Sequence, residues 1–95
     1  MKIQVDSLGL PTLSKLIGRK VQLEMPEGTV EDLVARIVAR YGLKARKILL
    51  DSTGKLDHSI QVFLNDKGLL PRQEYSSRVL QNGDSVKLMM LVGGG

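Results

Sequence analysis

Gly93, Gly94 and Gly95 close a chain of 95 residues, and they are the residues whose type and placement could do chemistry. Glycine lacks a Cβ, so it threads a narrow channel closed to other residues and stays mobile outside one. Directly before the glycines runs Val86-Lys87-Leu88-Met89-Met90-Leu91-Val92, an apolar alternation that predicts a final strand. A rigid strand launching a tail without side chains would carry a free carboxylate at its tip, and that carboxylate would be the reactive group. The competing reading is an ordinary frayed terminus.

Little else in the chain offers chemistry. There is no cysteine, which removes disulfides, thiolate metal sites, iron–sulfur ligation and thiol nucleophiles. His58 is the single histidine, so no histidine metal cluster or histidine-based triad is expected, and no metal site. Glu31 and Asp32 are adjacent acids, but negative charge at a helix start explains them better than paired catalysis. Ser76 and Ser77 have no base near them in sequence. His58 sits among turn residues and is expected in solvent.

The formal net charge is +4, which suits an acidic partner or nucleic acid. The basic residues are spread along the chain, with one local cluster at Lys44, Arg46 and Lys47. Tyr41, Phe63 and Tyr75 do not alternate with basic residues as a base-stacking surface would. A solvated surface is therefore expected rather than a nucleic-acid site. No apolar run is long enough to span a bilayer, and Met1 to Asp6 contains no signal-peptide core. The expectation is a cytoplasmic protein that does not enter a membrane.

The elements that must position the tail can be read from periodicity. Lys2 to Asp6 alternates and predicts a first strand, with Ile3 and Val5 on one face. Ser7 to Lys20, punctuated by Gly9, Pro11 and Gly18, reads as a connection with a short helical turn over 12–17. Val21, Leu23 and Met25 predict a second strand, antiparallel to the first. Thr29 is a good N-cap. After it, Val30, Leu33, Val34, Ile37, Val38 and Tyr41 follow helical spacing, and Gly42 supplies the stop. Leu43 to Leu50 stays open between loop, short helix and brief strand. Ile60 to Leu64 alternates, with Ile60, Val62 and Leu64 on one face and Phe63 on the other. Leu69 to Arg78 reads as a long connection, and Asn82-Gly83-Asp84 as a tight turn before the last strand.

This order predicts an α+β fold in which one main helix crosses one face of a mixed sheet, a β-grasp. The first and fifth strands would lie side by side and parallel at the centre. Residues 1–92 would form a single domain and 93–95 its flexible tail. If Val86, Leu88 and Met90 lie under the helix, Met89 and Leu91 face outward, and so does Phe63. Together with Val92 and Gly93 they would form a partner-binding patch at the root of the tail. The alternative for Phe63 is a second small core beneath the 43–56 or 69–80 connection.

Several stretches resemble the MoaD/ThiS family of ubiquitin-like sulfur-carrier proteins. Val21-Gln22-Leu23-Glu24-Met25-Pro26-Glu27-Gly28-Thr29-Val30-Glu31-Asp32-Leu33 is similar to their strand, turn and helix start. Val62-Phe63-Leu64-Asn65-Asp66 resembles their mid-chain strand ending in asparagine. Leu80-Gln81-Asn82-Gly83-Asp84-Ser85-Val86 resembles their turn into the final strand, and the chain ends in glycines as theirs do. The long 7–20 connection looks more like the MoaD branch. Two features depart from the family: no proline precedes the tail, and there are three glycines rather than two.

The resemblance implies a protein substrate rather than an enzyme, or the small subunit of a sulfur-transferring synthase. An activating enzyme would use ATP to adenylate the Gly95 carboxylate, and Gly94 would let it enter that enzyme's channel. Sulfur from a cysteine desulfurase or rhodanese-like donor would then give a thiocarboxylate. The carrier would bind no cofactor of its own. The acceptor would be a synthase such as a large molybdopterin synthase subunit. Molybdopterin or tungstopterin is favoured as product, with thiamine and other thiolations open. Two other functions remain: a ubiquitin-like modifier conjugated through the same glycine, and a basic β-grasp RNA-binding module with an inert tail.

Overall fold

The computed structural model describes residues 1–90. Strand β1 (Lys2–Leu8) runs two residues past the predicted end. Its inward row is Ile3, Val5 and Ser7. Ser7 is buried but satisfied, because its hydroxyl lies 2.7 Å from that of Ser14 and donates to the Gly18 carbonyl at 3.2 Å. Ser14 belongs to helix α1 (Pro11–Ile17), so the expected short turn is an ordered helix docked on the core through Leu13 and Ile17. Pro11 opens it at a position where a missing N–H leaves no hydrogen bond unmade.

After β2 (Lys20–Glu24), helix α2 (Val30–Tyr41) begins at a reciprocal capping box. The Thr29 hydroxyl accepts the Asp32 N–H at 3.3 Å, and the Asp32 carboxylate accepts the Thr29 N–H at 2.9 Å. Two of the helix's orphan donors are thereby satisfied. Gly42, at φ 81°, ends the helix, and its N–H reaches the Val38 carbonyl at 2.8 Å. The chain turns there directly into helix α3 (Leu43–Leu49), whose Ala45 and Leu49 are buried. The undecided 43–50 segment is thus helical, and Leu50 adds only an isolated bridge to Leu56.

Strands β3 (Ile60–Leu64) and β4 (Ser85–Met90) complete a sheet of order β2-β1-β4-β3. The β1–β4 pair is parallel and central as expected, and the two outer pairs are antiparallel. Because the 43–50 segment became helix, the described sheet has four strands, and the last strand is the fourth rather than the fifth. Ile3, Val5, Leu23, Val62, Val86 and Leu88 form one core with Leu13, Leu33, Ile37 and Leu49. All three helices contribute to that layer, so a single helix does not cover the sheet alone. The arrangement is the β-grasp, with the opposite sheet face left outside the core. Among the described residues, no helix is long and apolar enough to cross a membrane.

Candidate functional site

The glycine tail is attached to β4, so the site begins with what holds that strand. Its entry is fastened to both neighbours. On the β1 side, the Asn82 side-chain oxygen accepts the Lys2 N–H at 2.7 Å, and the Gly83 N–H reaches the Lys2 carbonyl at 2.8 Å. On the β3 side, the Asn65 amide donates to Asp84 at 2.8 Å and its oxygen accepts the Ser85 N–H at 2.7 Å. Asn65 and Asp66 adopt φ values of 52° and 57°, a left-handed conformation that, glycine aside, short polar residues tolerate best. The two motifs around Asn65 and Asp84, distant in sequence, are therefore one device that aligns β4.

From that anchor β4 runs between β1 and β3 with Val86 and Leu88 wholly buried. Met90 is half-buried against the same core. At its far end the strand passes Gly9, whose φ is 67°. A Cβ on Gly9 would sit 3.4 Å from the Met90 carbonyl oxygen. Gly9 thus allows β1 to turn away close beside the last described residue.

The outward face of the sheet carries two lateral rows. One places Leu8, Met89 and Gln61 side by side across β1, β4 and β3. The next places Asp6, Lys87 and Phe63 side by side, extended past the sheet edge by Leu69, which bridges to Phe63. Leu8, Phe63 and Met89 are half-buried, and Leu69 is 55% exposed. These four form an apolar surface broken by Gln61 and by Lys87, which pairs with Asp66 at 3.6 Å. The apolar side chains are therefore interleaved with polar ones across the outer face.

Phe63 and Met89 therefore share one face, although Gln61 rather than Phe63 stands directly opposite Met89. Leu69 lies alongside Phe63, so the 69–80 connection widens the apolar surface at this point. Leu91, Val92, Gly93, Gly94 and Gly95 lie outside the described residues. Sequence reading missed Leu8, Leu69 and Gly9. Leu8 was signalled by continuing the alternation of Asp6 and Ser7 by one step. Leu69 had no such signal, because only the fold sets it beside Phe63.

Elsewhere two carboxylates are held by local hydrogen bonds, whereas the buried Tyr75 hydroxyl has no hydrogen-bond partner among the described residues. The Asp51 carboxylate accepts from the Thr53 hydroxyl and from the N–H groups of Lys55 and Thr53, which hold it below the usual carboxylate range. Asp57 is lowered in the same way by the Ser59 N–H and hydroxyl. Burial raises the Tyr75 phenol, opposed in part by the Arg72 guanidinium stacked 5.6 Å from its ring centre. A cleft of about 670 Å³ lies between α2 and the segments around Lys55 and Arg72, with His58 exposed on its lining. Among the described residues, Leu8, Phe63, Leu69 and Met89 do not line it. Among the described residues, no three His, Cys, Asp or Glu converge as metal ligands.

A family model described as the ThiS family matches residues 12–95. No curated protein sequence gives a significant match. Among solved structures, SAMP1 of Haloferax volcanii is similar at 20% identity and a TM-score of 0.78, covering 100% of both chains. Urm1 of Trypanosoma brucei is similar at 24% identity and a TM-score of 0.70, covering 99% of this chain and 95% of that one. A chain of the BexX/CysO complex of Amycolatopsis orientalis is similar at 25% identity and a TM-score of 0.65, covering 98% and 99%. The likeness to the first two is one of fold.

Proposed function

Since this chain belongs to the ThiS family, we propose that it is a ubiquitin-like sulfur carrier whose working group is the Gly95 carboxylate. The observation that supports the reading is the placement of β4. It is an anchored central strand that carries Met89 on the outer face, with Leu8 and Phe63 on the strands either side, and the sequence passes from it straight into Leu91-Val92-Gly93-Gly94-Gly95. A partner that grips the outer face would hold the root of the tail at a defined distance from its own active site. Near-attack placement of this kind lowers a barrier without any catalytic group on the carrier.

In this reading an activating enzyme docks on the outer face and receives the tail. A carboxylate is a poor electrophile, so the enzyme uses ATP to convert it to an acyl adenylate, releasing pyrophosphate. The terminal sulfur of a persulfide donor attacks the adenylate and expels AMP, giving an acyl disulfide. A thiol of the donor or the enzyme then attacks the donor's own sulfur, forming a disulfide there and releasing the thiocarboxylate. Gly93 and Gly94 let the tip pass where a Cβ would clash. The protein is thus a cytoplasmic substrate and carrier, not an enzyme. The long segment between β1 and β2 favours a pterin cofactor as the recipient of the sulfur, through a synthase that uses the same face.

A second reading, a modifier joined to lysines of other proteins, gains support from the likeness to a protein described as a small archaeal modifier. Intact-mass measurement of protein from its native host, before and after brief iodoacetamide treatment, separates the two. The change from oxygen to sulfur nearly equals that of oxidising one methionine, so the alkylation decides. With no cysteine in the chain, one rapid adduct mapping to Gly95 is expected. No adduct in the presence of the activating enzyme and a sulfur donor would overturn the carrier reading. High-mass conjugates in the same extract would put the modifier in its place.

A further inference from the structure

The two edges of the sheet are treated differently. At the β3 edge, the backbone of the 68–70 segment closes the open side. The Leu64 N–H reaches the Gly68 carbonyl at 3.3 Å, and the Leu70 N–H reaches the Val62 carbonyl at 2.8 Å. The β2 edge has no such cover. In the β1–β2 ladder the residues that exchange hydrogen bonds include the pairs Ser7–Arg19 and Met1–Met25, bonded at 2.9 Å each. By alternation the backbone groups of Lys20, Gln22 and Glu24 point away from β1. Among the described residues they have no hydrogen-bond partner. All three residues are exposed.

Unpaired strand edges template the addition of another strand, and charge on the edge decides which strand. The side chains of this edge read Lys20, Gln22, Glu24 along the outer face. About a twofold axis through Gln22, an antiparallel second copy sets Lys20 against Glu24 of the second copy, Gln22 against its own counterpart, and Glu24 against Lys20. Each of these pairs exchanges two backbone hydrogen bonds. On the helix side, Val21, half-buried at the rim of the core, meets Leu23 of the second copy.

The charge match reaches beyond the two edge strands. Within one chain, Lys87 neighbours Asp6 and Asp6 neighbours Lys20 across the sheet, while Glu24 neighbours Lys2. Joining two copies produces an unbroken lateral row that alternates in sign: Lys87, Asp6, Lys20, then Glu24 and Lys2 of the second copy. Opposite charges directly across a strand pair stabilise it, and like charges destabilise it. Sliding the register by two residues sets Lys20 or Glu24 against the neutral Gln22 and loses both ion pairs. A slip by one turns the polar row to the wrong face.

We propose that the exposed β2 edge is a self-association surface, through which two copies join antiparallel at Gln22 into one continuous sheet. The interface is isologous, as a twofold dimer requires. It leaves Leu8, Phe63, Met89 and the end of β4 open in both copies. Because it rests on a single short strand, the dimer is weak and assembles at high protein concentration.

Sedimentation equilibrium over a wide concentration series tests this. The wild-type mass is expected to rise from that of the 10.4 kDa chain toward twice that value. Lys20→Glu sets carboxylate against carboxylate at both ends of the interface, and Glu24→Lys sets ammonium against ammonium. Each variant alone is expected to stay monomeric, and an equimolar mixture of the two to recover the dimer. Gln22→Pro removes the central N–H on the open side, where an edge strand tolerates proline; it is expected to abolish association while retaining the wild-type circular dichroism. A wild-type chain that stays monomeric throughout, or an association that survives unchanged in Lys20→Glu and Gln22→Pro, would overturn the proposal.

Discussion

Met89→Thr isolates the outer face of the sheet from the tail. Met89 stands on β4 between Leu8 and Gln61, half-buried and outside the core. Fully burying a methionine side chain is worth about 1.5–3 kcal/mol. Part of that burial already exists in the free protein, so a partner that covers the remainder gains about 1–1.5 kcal/mol from this residue. Threonine keeps β-propensity and removes most of the apolar surface. At tenfold per 1.4 kcal/mol, the KM of an activating enzyme for the carrier should rise about five- to tenfold. The kcat should hold, because docking is lost equally from ground state and transition state. AMP release under steady state measures both constants, and a direct binding titration guards against a KM that is not a dissociation constant. Val79→Thr is the control: Val79 is also apolar and 50% exposed, but it pairs with Thr29 at the start of α2. A Met89→Thr KM within twofold of wild type, or an equal rise in Val79→Thr, would refute the assignment of this face.

Four further outcomes follow from the geometry. Gly9→Ala forces a Cβ onto a residue at φ 67° beside the Met90 carbonyl; urea unfolding should show a loss of about 1–2 kcal/mol, with Gly9→Asn recovering part of it. Thr29→Ala breaks the capping box at α2 and should cost about 1 kcal/mol in the same assay. The carboxyls of Asp51 and Asp57 titrate below 3.8 in the folded state, so the unfolded chain protonates first as pH falls. Their contribution to stability is complete above 3.8 and is lost as pH drops through the folded values, which carboxyl-resolved NMR titration should locate below 3.8. Tyr75 has the opposite sign: its phenol titrates above 10.0 when folded, so its contribution is complete below 10.0 and lost as pH rises through the folded value. Ultraviolet titration of Tyr41→Phe, which leaves Tyr75 as the only tyrosine, should give a midpoint above 10.0 that returns to normal in denaturant.

Local chemistry by itself determined the elements that need no distant partner. Thr29, Asp32 and Gly42 delimit α2 because caps act within one turn, and the alternation of 60–64 and 86–90 marks strands because pleat periodicity is intrinsic to the chain. The inward row of β4 followed from the same rule, and so did the outward turn of Met89 and Phe63. Tertiary structure decided what depends on neighbours. Leu43–Leu49 has too few residues to declare itself, and it is helical because Ala45 and Leu49 find the core beside α1 and α2. Ser7 and Leu8 belong to β1 because Leu88 and Met89 of β4 continue alongside them. Asn65 and Asp84 become one anchor only when β3 meets β4. The outer surface likewise needs register to exist: Leu8 reaches Met89 through the parallel pair, and Leu69 reaches Phe63 through a bridge that no local pattern encodes. Side-chain direction is a property of one strand, whereas adjacency is a property of the pairing between strands.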